Sequence, residues 1–203
     1  MSPTRLILIR HGLTDWNASN RFQGQADVPL NATGEQQARA MAPVIAGYEP
    51  TVLYASPLTR ARVTAETLAA ETGLEITFDE RLKEINVGDW SGLTIEEAIA
   101  LDPAFGHALA NDLDHRRSAT GENGVETGER MGVVLREIAE RHRGENVAIV
   151  SHGLAIRMGI ASMMGWDFPT AVGLAGMGNC AWSTLLARRD RWRLESYNRQ
   201  APL

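Results

Sequence analysis

The chain has 203 residues, 44% of them hydrophobic, a formal net charge of −5 and a single cysteine, Cys180. That length suits one large domain or a core with a small insertion, and the apolar share excludes a disordered chain. Mild acidity without a basic run argues against nucleic acid as a main partner, and one cysteine forbids an internal disulfide. No apolar run approaches membrane-spanning length, and the run of four apolar residues before Arg10 and His11 is too short for a secretory leader, so a cytoplasmic protein is expected.

Leu6-Ile7-Leu8-Ile9 reads as a strand buried on both faces, and it breaks at Arg10-His11-Gly12. A long polar loop, Leu13 to Leu30, follows; loops of that length are uncommon unless they have a task. Asn31 to Glu35 offers helix-start residues, Ala38, Met41, Ala42 and Ile45 supply an apolar face, and Pro43 should kink or end that helix. Thr51 to Ala55 is a second strand, and Ser56-Pro57 opens a helix whose face is Leu58, Ala61, Ala65, Leu68 and Ala69, stopping at Gly73. Glu75 to Phe78 is a third strand.

From Arg81 to Glu126 the periodicity weakens. A loop bearing Gly88, Trp90 and Gly92 precedes short helices at Thr94 to Ala100 and Ala104 to Ala110, and Asn111 to Glu126 reads as loop. Met131, Val134, Leu135 and Ile138 mark an amphipathic helix from about Thr127 to His142. Asn146 to Ser151 repeats the opening theme: a buried strand delivering His152-Gly153, then a helix from Leu154 to Met164. Cys180 to Ala187 and Trp192 to Tyr197 are β-rich and joined by a hairpin over Arg188 to Arg191. The expected fold is a three-layer α/β/α sandwich with a mainly parallel sheet, an antiparallel edge and a small helical insertion at about 86–126, all one domain over 1–203.

In parallel sheets, ligands bind beyond the carboxyl ends of the strands, where both His11 and His152 fall. A neutral imidazole beside an arginine and a glycine suits attack on phosphorus, and the phosphohistidine formed is labile enough to hydrolyse. Arginine balances a phosphate dianion bidentately. Arg10 supplies one such fork, and Arg60, in the first turn after the second strand, reaches the same edge. Asn17 offers an amide to a phosphate oxygen. Glu84, between Leu82 and Ile85, is the candidate proton donor to the leaving alkoxide and base for the water that follows. Arg10, Arg60 and a protonated His152 then supply the charge a metal would supply, so neither metal nor cofactor is expected. Asp15 lies four residues after His11, but no dense ligand cluster accompanies it, and no glycine-rich nucleotide loop is present. The five tryptophans read as packing rather than a stacking platform.

Taken singly, each feature has an ordinary alternative: a turn histidine, a surface arginine, a solvated carboxylate. Taken together they resemble the histidine phosphatase, or phosphoglycerate-mutase-like, superfamily. The motifs are Arg10 to Asn17 (RHGLTDWN), Gln23 to Leu30, Ser56 to Ala61 (SPLTRA), Glu84 to Gly92 (EINVGDWSG) and Ser151-His152-Gly153, in order and across nearly the whole chain. The resemblance implies His11 as the phosphorylated nucleophile and Glu84 as acid/base. It implies Arg10, Arg60, His152 and Asn17 as the phosphate pocket, with Gln23 and Gly24 on the substrate side. Two departures are Leu13, where the family usually has a polar residue, and Gly124 to Thr127, which replaces the common Gly-Gly-Glu-Ser. The insertion resembles the short one of the phosphatase branch, and Gly176 to Trp182 and Arg191 to Leu194 resemble actinobacterial members. The expectation is therefore a phosphatase acting on a small phosphate ester, a sugar phosphate or phosphoglycerate type. A phosphoglycerate mutase and a catalytically silent phosphate-binding member are the alternatives. No membrane or nucleic-acid partner is expected, and a homodimer is compatible with the sequence. Arg116 and Arg117 stand in the polar part of the insertion as either a solvated pair or a clamp for a substrate carboxylate.

Overall fold

The computed structural model describes residues 2–188 and 191–202. In chain order the elements are β1 (Arg5–Arg10), α1 (Asp15–Ala18), α2 (Ala32–Ala46), β2 (Val52–Ala55), α3 (Thr59–Thr72), β3 (Ile76–Phe78), α4 (Ile95–Leu101), α5 (Pro103–Ala110), α6 (Gly124–Arg141), β4 (Asn146–Ser151), α7 (Gly153–Met164), α8 (Phe168–Val172), β5 (Trp182–Arg188) and β6 (Arg191–Arg199). The strands form one sheet in the order β3-β2-β4-β1-β5-β6. The first four run parallel, and β5 and β6 add an antiparallel edge, as expected.

Side-chain alternation divides the core. Leu6, Leu8, Val147 and Ile149 point to one face, packed by α6 and α7 through Met131, Leu135, Ile156 and Ile160. Ile7, Ile9, Ala148 and Val150 point to the other, covered by α2 and α3 through Ala38, Met41, Ala61 and Ala65. These central strands are apolar without interruption because both faces are covered. The insertion carries a small cluster of its own, Ile85, Val87, Trp90, Ala98 and Phe105.

α2 ends at Ala46, close after Pro43 as expected, and so near the helix end the proline costs little more than one hydrogen bond. Several boundaries differ from the sequence expectation for local reasons. Pro57 does not open α3, which starts at Thr59 with Leu58 as its extended N-cap; Arg60 still falls in the first turn. Asn111 to Glu126 is not all loop. A capping box between Asn123 and Glu126 starts α6 at Gly124, three residues early. A second capping box, Thr14 with Asn17, folds α1 inside the long polar loop. Cys180 adopts φ +51 and belongs to the turn before β5. α8, N-capped by Asp167, had no signal of its own beyond that cap. Of the expected hairpin, Arg189 and Asp190 lie outside the described residues.

Candidate active site

The register of two strands builds the site. β1 and β4 are parallel neighbours with Arg10 opposite Ser151, so the next residues, His11 and His152, leave the sheet side by side. The His11 amide donates to the Ser151 carbonyl at 3.1 Å, and the two imidazole centroids are 5.1 Å apart. β2 ends beside β4, and the Ser56 hydroxyl sits 2.8 Å from His152 Nε2. His11 is 2% exposed and His152 fully buried.

Close backbone approach fixes the turn after His11. A Cβ on Gly12 would lie 2.4 Å from the Gly34 carbonyl oxygen, and one on Gly34 would lie 2.1 Å from that of Leu13. The Gly12 amide donates to Thr64 Oγ1 at 3.1 Å, and the Leu13 amide to Gln37 Oε1 at 2.9 Å. Within this turn, His11 Nδ1 stands 2.7 Å from the Gly12 carbonyl oxygen. A carbonyl only accepts, so Nδ1 carries the proton and Nε2 keeps its lone pair. Burial, then Arg60 and Arg10, holds the His11 pKa well below the ordinary histidine value. The ring is neutral and nucleophilic at Nε2.

Arg60 is wholly buried, with Nη1 donating to the Ala26 carbonyl and Nη2 to that of Gly24, each at 2.7 Å. Gly24 has φ +50, and a Cβ there would meet Val87 Cγ2 at 2.5 Å, so glycine suits the position. Burial lowers the Arg60 pKa to about 10, with Glu84 and Asp27 acting against the shift. Arg10 Nη1 donates to the Met177 carbonyl. Asn17 Oδ1 is occupied by Thr14 and by Asn179 Nδ2 at 3.1 Å, which leaves its own NH₂ group for a ligand. Glu84 sits against the start of α7: Oε1 accepts from Ile85 and Ala155 amides at 3.0 and 2.8 Å, Oε2 from Leu154 at 3.2 Å.

Arg10, His11, Asn17, Gln23, Gly24, Arg60 and Glu84 line one cleft of about 240 Å³, with His152 directly behind His11. Four buried polar atoms there have no protein partner: Arg10 Nε, Arg60 Nε, His152 Nδ1 and Gln23 Oε1. A wider groove of about 930 Å³ lies at the amino end of β1 and holds none of these residues.

One expectation needs correcting. Burial first, then Arg60, His11 and Arg10, drive the His152 pKa well below the usual value, so the protein alone favours its neutral ring over the protonated one expected. Two arginines already occupy the volume and repel a third cation. Two residues were missed. Asn179 donates to both the His11 carbonyl and Asn17 Oδ1, each at 3.1 Å, from a loop without periodic signal. Arg130 bridges Glu122 at 2.8 Å and the carbonyls of Arg81, Lys83 and Glu84, and so fixes the backbone beneath Glu84; on a helix its sequence signal was only that of a polar face. The insertion arginines separate: Arg117 lines the cleft, whereas Arg116 pairs with Glu126 and donates to the Gly121 carbonyl.

A model of the histidine phosphatase superfamily (branch 1) matches residues 6–200. The chain belongs to that superfamily. It is 34% identical over 219 residues to the glucosyl-3-phosphoglycerate phosphatase of Mycolicibacterium vanbaalenii, covering 99% of this chain and 97% of the relative. The probable phosphoglycerate mutase GpmB of Escherichia fergusonii is 34% identical over 188 residues, 93% of this chain and 87% of the relative. Among solved structures, a mycobacterial glucosyl-3-phosphoglycerate phosphatase in complex with VO3 superposes with a TM-score of 0.88 at 35% identity, covering 96% of this chain and 98% of the other. This histidine phosphatase is a phosphomonoesterase. Among its described residues, no helix is long and apolar enough to cross a membrane.

Proposed function

We propose that the chain hydrolyses a small phosphoglycerate-type ester without a metal, through a phosphohistidine on His11. The observation that carries this is the set of three buried nitrogens, Arg10 Nε, Arg60 Nε and His152 Nδ1, left without partners around a neutral histidine whose Nε2 is free. In this reading the Ser56 hydroxyl, 2.8 Å from His152 Nε2, donates to it and the His152 proton sits on Nδ1, so all three nitrogens are donors. An unmade hydrogen bond in such a place is costly, and a tetrahedral dianion with several acceptor oxygens satisfies all three.

In the first step, His11 Nε2 bonds to phosphorus as the ester P–O bond breaks, and Glu84 protonates the departing oxygen. The imidazolium so formed is stabilised by its Nδ1–H to the Gly12 carbonyl. In the second step, the Glu84 carboxylate takes a proton from water, the oxygen bonds to phosphorus and the P–N bond breaks. His11 returns neutral and Glu84 returns protonated. Asn17, Gln23 and Gly24 contact the bound ester. Arg117, which lines the same cleft, meets a carboxylate on the substrate, which agrees with the name of the relative that carries a phosphoglycerate group. The short insertion favours water over a second alcohol as acceptor, hence hydrolysis over mutase chemistry. We further propose a single domain over 1–203 working on metabolites in the cytoplasm and not on nucleic acid, given its net charge of −5 and single cysteine, with a homodimer compatible.

The test is a panel of phosphorylated sugars and glycerates, with phosphate release and mutase activity followed in parallel, on wild type and His11→Ala. Wild type should form an acid-labile phosphoenzyme and release phosphate; His11→Ala should do neither. A tenth of the activity surviving in His11→Ala, by a rough threshold well above the usual loss of a nucleophile, rejects the covalent route.

A further inference from the structure

Residues 111–123 have no helix or strand; the Arg117 amide donates to the Glu122 carbonyl at 2.9 Å, whose own amide donates to the Asn86 carbonyl at 2.7 Å, and beyond these backbone bonds the direction of the Arg117 side chain depends on a few tethers. One reaches across to α5. Asp102 caps that helix with Oδ1, which accepts from the Ala104 amide at 3.1 Å, and its Oδ2 meets His115 Nε2 at 2.8 Å. The His115 ring lies 12° from parallel with Trp90, centroids 6.4 Å apart, and 5.9 Å from Phe105. The His115 carbonyl accepts from Arg117 Nη1, and the Arg117 guanidinium carbon stands 4.8 Å over the Phe105 ring. Asp114, the acid nearest in sequence, is engaged by the Gly124 and Val125 amides at 2.8 and 2.9 Å. Among the described residues Arg117 forms no salt bridge, yet it is 8% exposed and lines the cleft. A buried cation without a partner is costly unless a ligand completes it.

We infer that His115 is a positioning residue for substrate selection: its pair with Asp102 holds Arg117 in the cleft wall and thereby sets affinity for esters bearing a second anionic group. The inference rests on the reading that Arg117 meets such a group. The chain of contacts runs from α5 through the Asp102–His115 pair to a backbone carbonyl, from there to Arg117, and ends in the cleft. Cutting it at His115 leaves the phosphate pocket untouched, because no residue of that pocket contacts His115 or Asp102 by a hydrogen bond among the described residues.

The experiment measures 3-phosphoglycerate and glycerol 3-phosphate as competitors of p-nitrophenyl phosphate hydrolysis. The two differ by a carboxylate in place of a hydroxymethyl group, so the ratio of their inhibition constants reports that exchange. Arg117→Ala should erase roughly tenfold or more of preference for 3-phosphoglycerate. His115→Ala and Asp102→Asn should each erase about threefold or more, with kcat for p-nitrophenyl phosphate unchanged and the double variant no worse than either single one. Asp102→Asn keeps the side-chain oxygen that caps α5. His115→Gln, whose amide can still donate to Asp102, should recover most of the preference. If Arg117→Ala changes the ratio and the His115 and Asp102 variants do not, or if they weaken both competitors alike, His115 does not position Arg117. If wild type shows no preference, or Arg117→Ala does not alter it, the Arg117 reading fails and this inference falls with it.

Discussion

The proposed mechanism gives Glu84 two tasks, and its contacts suit both. Its Oε1 is fully engaged by two amides, while Oε2 takes one longer bond from Leu154 and keeps capacity on the cleft side. The carboxyl group is therefore fixed in direction but not saturated, as a group that gives and then takes a proton must be. Glu84→Gln keeps the shape and loses the proton. With an alkyl phosphate, the poor leaving group should slow turnover by about 10²–10⁴. With p-nitrophenyl phosphate, whose leaving group needs no proton, the loss should be far smaller. Rates measured on both substrates decide it, and equal losses would remove Glu84 from the acid role.

At the scale of elements, the strands were legible because β1 and β4 are apolar runs that end abruptly in His-Gly, and a parallel sheet puts such ends together. Arg60 was legible for the same reason, being two residues past the N-cap of α3. What stayed hidden was set by through-space contacts. α1 arises from a capping box in a stretch without apolar period, and only four residues of helix result. Asn179 is a loop residue whose partners lie 162 and 168 positions away. Arg116 and Arg117 are adjacent and chemically alike in sequence; the backbone between them sends one to Glu126 and the other into the cleft. The preference of His152 for its neutral form depends on full burial and on Arg60, His11 and Arg10, neither of which periodicity reports.

Across the whole molecule, the two buried histidines tie stability to pH. Both have folded pKa values well below the roughly 6.5 of an unfolded histidine, chiefly through burial and then through Arg60. Below pH 6.5 the unfolded chain takes up protons that the folded chain refuses, so stability falls as pH falls. Above it, their contribution is fully present. The slope is about 1.4 kcal/mol per pH unit for each histidine once well below 6.5. Carboxyls with depressed pKa, such as Asp79 beside Arg81, add their own loss only nearer pH 4, outside this window. Urea midpoints between pH 7.5 and 5 should decline for wild type and decline less steeply for His152→Asn. Parallel curves would mean that the buried histidines do not set the slope.

The turn before β5 brings the only cysteine of the chain against the backbone of the proposed nucleophile: the Cys180 amide donates to the His11 carbonyl at 3.2 Å. Burial pushes the Cys180 thiol up to about 12, with Arg10 pulling the other way. At neutral pH that shift keeps the thiol protonated, away from the thiolate that oxidants and alkylating agents attack. The proposed imidazole nucleophile needs no thiolate, unlike phosphoryl transfer through a reactive cysteine. Turnover should survive iodoacetamide or hydrogen peroxide at neutral pH. Inactivation that keeps pace with modification of Cys180 would show that the thiol is not shielded.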